Sequence, residues 1–187
     1  MKVTKVEAQA SLDEIEDIAA RTRRAIAGGS CSGMLILWGA IWLIGFAGTQ
    51  FFPGQSGVLW LALDSAGFVA SWVLATRRRD TIKSGNGGRI GLAWVALFVY
   101  AGIWVFILRP SSSNMRFFGA YPATVAMFGY VVMGIWLDRF LLYLGLGVTA
   151  STLVGMFLVP DWFNLWMALT GGGSLIAAGF HVRRNWN

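Results

Sequence analysis

The stretch GVLWLALDSAGFVASWVLATRRR, Gly57 to Arg79, limits what this chain can become more than any other part of it. About twenty mostly apolar residues at roughly 1.5 Å each cross a hydrocarbon core, and the triplet Arg77, Arg78 and Arg79 ends the run where basic residues are retained. Inside the run stands one acid, Asp64.

Composition extends this reading to the whole chain. Of 187 residues 56% are hydrophobic and only 13% charged, against about 25% charged in a soluble domain. The net charge of +6 comes from basic residues set between apolar runs, which points to membrane topology rather than to a nucleic-acid partner. A single cysteine, Cys31, excludes an internal disulfide and a cysteine-rich metal site. The acids near the N-terminus argue against a signal peptide, and the first apolar run is long enough to span.

Turn and charge signals divide the chain into residues 1–33, an amphipathic cytoplasmic helix with a Gly/Ser hinge, a bundle over 34–182, and a tail over 183–187. The spacing predicts spans at about 34–52, 57–76, 90–108, 117–137, 140–159 and 162–182. The expected fold is therefore an all-α integral membrane protein, a six-transmembrane-helix bundle. Of the fifteen Lys and Arg, thirteen fall on one face of this topology and only Arg109 and Arg116 on the other. Both termini are thus expected in the cytoplasm, and the bacterial inner membrane is the expected host. Trp60, Trp162, Phe117, Phe118 and Trp136 read as interfacial anchors.

The arm SLDEIEDIAARTRRAIA opens with a capping box, Ser11 with Glu14 three residues on. Leu12, Ile15, Ile18, Ala19 and Ile26 then share one side at helical spacing, the expected docking face for the bundle's inner ends or for a protein partner.

Aligning the descending spans on Arg77, Arg139 and Arg183 places Gly67, Gly129 and Gly173 in register, and the ascending spans open LILWGAIW, LAWVALFV and LLYLGLGV. These matches predict three helical hairpins of one type. Small residues recur at Gly147, Ser151 and Gly155 and again at Gly67, Gly129 and Gly173. In lipid, close van der Waals contact through such grooves drives helix association, within the chain or between copies in a homo-oligomer.

Asp64 lies about 20 Å from the Arg77 boundary, where a carboxylate costs about 2.5 to 3.5 kcal/mol on insertion scales. It should be paired, hydrated or protonated inside the bundle, and Gln50, Tyr100, Tyr121 and Thr124 are placed by their own spans as its candidate partners.

Catalytic patterns are sparse. GSCSG, Gly29 to Gly33, has nucleophile-elbow spacing but no strand before it, and GNGGRIG, Gly85 to Gly91, matches neither a dinucleotide nor a phosphate loop. His181 is the only histidine, too few for a bis-histidine haem or a clustered metal site. The expectation is a non-enzymatic multi-pass membrane subunit or scaffold without cofactor or metal, embedded in the lipid bilayer and docking a partner through its N-terminal helix. The alternative is a small transporter or channel using Asp64.

Overall fold

The computed structural model describes residues 31–77, 87–108, 115–136 and 138–185, together with Gln9, Ser11, Asp13 and Glu14. The protein is an all-α, multi-pass membrane protein. Among the described residues, five helices are long and apolar enough to cross a membrane, and a sixth contributes the apolar stretch Gly91–Ile107. Lipid offers the backbone no hydrogen-bond partner, so each apolar run closes its own ladder as a helix.

In chain order these are α1 (Cys31–Phe51), α2 (Ser56–Arg77), α3 (Gly87–Leu108), α4 (Met115–Trp136) and α5 (Arg139–Leu158). The last, α6, joins Phe163–Met167, a π-helical turn Ala168–Gly172 and Gly173–Asn185. Short 3₁₀ turns at Pro53–Gln55 and Pro160–Trp162 open α2 and α6, where a proline forfeits no ladder bond. Asp138 caps α5 by accepting from the Phe140 amide at 2.8 Å.

The boundaries differ from the expected ones chiefly at the start of α1. Cys31, Ser32 and Gly33 are helical rather than part of a hinge, because Cys31 to Phe51 forms one apolar run that gains a ladder bond with each residue added. Gln9, Ser11, Asp13 and Glu14 are also helical. The Gln9 amide donates to Asp13 one turn on, at 3.2 Å. The docking-face residues Leu12, Ile15, Ile18, Ala19 and Ile26 lie outside the described residues.

The core forms where α1, α4, α5 and α6 meet. Leu35, Phe46, Met127, Leu141, Phe163, Met167 and Leu175 are buried there. The two tightest seams are α4 with α5 and α1 with α6, and they are built alike. A Cβ on Gly145 of α5 would lie 2.8 Å from the Met127 carbonyl and 3.0 Å from the Val131 amide. One on Gly39 of α1 would lie 2.8 Å from both the Gly172 carbonyl and the Ile176 amide. Each glycine sits over a carbonyl and the amide four residues on. A second glycine follows on the facing helix, Gly134 against Leu142 and Gly179 against Ile36. Side chains at these positions would push backbone from backbone.

Helices α2 and α3 flank this core. Only 6% of the apolar window of Pro53–Thr76 is buried, against 44% for Pro160–Asn185, so α2 holds to α1 by one side. That side is the stripe Ser56, Trp60, Leu63, Gly67, Ser71 and Leu74. Two matching contacts fasten the flanking hairpins. Trp38 lies over Gly67 and donates to the Ser71 hydroxyl at 3.2 Å. Trp94 lies over Gly129 and donates to the Met133 sulfur at 3.2 Å. In both, the acceptor follows the glycine by one helical turn. Phe98 joins the pairs, stacked on Trp94 at 5.8 Å and edge-on to Phe68 at 5.8 Å.

Candidate functional site

The polar residues of the spans supply the only chemistry a bundle this apolar can offer, and most are engaged locally. Thr49, Thr124, Thr152 and Thr170 each return a hydroxyl hydrogen bond to a carbonyl four residues back, at 2.8 to 3.0 Å. Indole groups take several of the remaining acceptors. Trp60 donates to Thr49 at 3.0 Å, and Trp166 donates to the carbonyl and the hydroxyl of Ser151 at 2.8 and 3.1 Å. Trp60, expected at the interface, is half-buried and turned onto Phe46 at 5.0 Å. Gly45 leaves its ring room there and Thr49 gives it an acceptor.

Of the four residues expected to surround Asp64, three come together without it. Tyr100, Ala101 and Trp104 of α3 and Tyr121, Thr124 and Phe128 of α4 line a cleft of about 340 Å³. On the other flank of α4, Phe118, Tyr121 and Thr124 face Thr152, Leu153 and Met156 of α5 across a cleft of about 500 Å³. Tyr121 and Thr124 border both. Pro122, inside α4, has no N–H to offer the Phe118 carbonyl, which leaves that acceptor without its ladder bond beside the second cleft.

Gln50 is elsewhere. Its amide nitrogen donates to the Asp161 carbonyl at 3.1 Å, tying the end of α1 to the turn before α6. Its Oε1 is buried without a hydrogen-bond partner. Asp64 borders neither cleft. It is half-buried on the α2 stripe between Trp60 and Gly67, the side held to α1. Nothing in the sequence marked Thr152 or Met156 as cleft residues, because apolar and small side chains read alike on packed and open faces. Pro122 was the one visible signal, as a backbone that must leave an acceptor free.

The small-residue positions divide. Gly67 and Gly129 receive Trp38 and Trp94, Gly155 receives Trp166, and Ser151 bonds the same indole. Gly147 and Gly173 have nothing within 4 Å where a Cβ would stand. At the α6 terminus, His181 stacks on Phe140 at 4.8 Å and accepts from Asn185 at 3.0 Å. Among the described residues, no three of His, Cys, Asp and Glu stand close enough to hold a metal ion. Comparison with protein families, with characterised proteins and with solved structures finds no match.

Proposed function

We propose that the chain is a six-span, non-enzymatic membrane subunit, with both termini cytoplasmic, that holds a partner rather than moving a solute. The observation that carries this reading is the seam between α2 and α3. If the matching Trp38–Gly67 and Trp94–Gly129 contacts mark equivalent hairpins, the α4 positions Met127, Val131 and Gly134 correspond to Ser65, Val69 and Trp72 of α2. The α1 positions Ile36, Gly39 and Leu43 correspond to Leu92, Val95 and Val99 of α3. All six are exposed. Trp72, 72% exposed, replaces the glycine of the other two seams, and Val95 replaces Gly39. The backbones therefore cannot meet, and two apolar helix faces are left for another protein's membrane helices. The repeated contact supports a common origin for the first two hairpins, and the matching glycine seams of α4 with α5 and of α1 with α6 extend the pattern to the third. Thirteen of fifteen Lys and Arg on one side support the orientation.

The test compares, in mild detergent, the proteins that co-purify with the full chain, with a version lacking residues 1–27 and with Trp72→Ala. A partner kept by the full chain and lost from either variant is the expected result. The reading is wrong if nothing accompanies the full chain at native expression.

One observation favours a second reading, a small transporter: Asp64 makes no hydrogen bond or ion pair among the described residues. Flux of an ion through proteoliposomes of the full chain, abolished by Asp64→Asn, would replace the first reading with this one.

A further inference from the structure

Asp64 stands at the edge of the open α2–α3 seam. Phe68, one turn further along α2, meets Trp38 of α1 at 5.3 Å and Phe98 of α3 at 5.8 Å. This edge of α2 therefore looks into the angle between α1 and α3. Successive spans alternate in direction, so the α3 residue level with Asp64 is Gly102, one turn beyond Phe98. Gly102 is exposed, and a Cβ there would meet nothing within 4 Å. The aromatic rings close the angle on the Arg77 side of Asp64, and α3 leaves it open beside the carboxyl. Leu61 and Ser65, which flank Asp64 on its outer side, are exposed as well.

The carboxyl makes no hydrogen bond or ion pair among the described residues, in a setting where an unpaired acid is costly. A cation beside it offsets that cost. None of the six spans contains a Lys or Arg, so neither this chain nor a second copy of it offers one from a span. The seam faces beside Asp64 are apolar and exposed at Val69, Trp72, Val95 and Val99, a surface that suits a packed helix better than a hydrated ion.

We propose that the partner held at this seam is a membrane protein whose spanning helix carries a Lys or Arg about 20 Å from the Arg77 boundary, paired with Asp64. Each charge alone is unfavourable in lipid, and side by side they neutralise one another, so the pair selects both the partner and its height in the membrane. The pairing rests on the partner-holding reading and can fail without it. A co-purifying protein lost with Trp72→Ala but retained with Asp64→Asn would overturn the pairing and leave that reading standing.

The direct test uses defined helices. The full chain is reconstituted in liposomes with a synthetic polyleucine spanning helix that carries a dansyl group and, about 20 Å from one end, a single lysine, leucine or glutamate. Energy transfer from the indoles to dansyl reports association. The lysine helix should associate about tenfold more tightly than the leucine helix, and the glutamate helix no better than leucine. Asp64→Asn should abolish the preference for lysine, and Asp64→Lys should transfer it to glutamate. If Asp64→Lys does not fold, the three helices on the unaltered chain and on Asp64→Asn carry the test. Equal association of the lysine and leucine helices with the full chain, or a lysine preference kept by Asp64→Asn, would overturn the proposal.

Discussion

Gly39 of α1 lies against the Gly172 carbonyl of α6, so close that a Cβ would stand 2.8 Å from that oxygen. The neighbour is backbone rather than a flexible side chain, so the contact cannot be relieved by a rotamer change. The same arrangement at Gly145 and Met127 makes the α4–α5 and α1–α6 seams the rigid part of the molecule, with α2 and α3 attached by side-chain contacts.

Gly39→Val should therefore destabilise the fold by about 1 to 3 kcal/mol, as overpacking does. Gly147→Val, on the same kind of span but with nothing within 4 Å, should be close to neutral. Residual monodisperse protein after heating in detergent, followed by size-exclusion chromatography, separates the two. Equal losses would mean that glycine content rather than the seam sets stability.

Trp166 is fastened to Ser151 by two hydrogen bonds and rests on Gly155. Trp166→Phe keeps most of the ring contact and removes the donor. Interhelical hydrogen bonds in membranes contribute about 0.6 kcal/mol on average and about 1.7 at most, so the loss should fall in that range. Trp136→Phe, at an indole 83% exposed, should leave the same thermal measurement unchanged.

Asp64 tests the choice between holding and transporting. Where it has no functional role, Asp64→Leu removes an insertion cost of about 2.5 to 3.5 kcal/mol and should raise membrane yield and heat resistance while leaving partner capture intact. A fall in either, with Asp64→Asn restoring it, would show a hydrogen-bonding duty for this side chain.

Much of the architecture was legible because lipid leaves few choices. An apolar run of about twenty residues becomes a helix, and Pro53 or Pro160 marks where it begins again. The side-chain contacts were not legible. Gly67 and Gly173 look alike in the sequence, yet the first lies under Trp38 and the second meets nothing. Aligning α6 on Arg183 pairs Gly173 with Gly129, whereas the seam contacts pair Gly179 with Gly134, one residue out of that register. Trp60 carried the same interfacial signal as Trp162, and only the placement of Gly45 and Thr49 turned it inward. Tyr100, Tyr121 and Thr124 share one cleft, at similar depths in their spans, and depth is something sequence supplies. Their separation from Asp64 depends on helix rotation, which a nearly uniform apolar surface does not encode.

The π-helical turn at Ala168–Gly172 yields the sharpest contrast between what a side chain and what a residue contributes. Leu169 lies within it, 71% exposed, so Leu169→Ala should alter stability very little. Deleting Leu169 is different. A π turn holds one residue more than an α turn, and closing it to α geometry would rotate Phe163 and Met167, both buried, by about 100° relative to Gly172 and Gly179. The first pair fills the core and the second seats α1, so no single rotation of α6 satisfies both. The deletion should abolish monodisperse protein in detergent, while the alanine variant elutes and melts like wild type. A deletion variant as stable as wild type would mean that the turn is a passive irregularity and that the two halves of α6 are set independently.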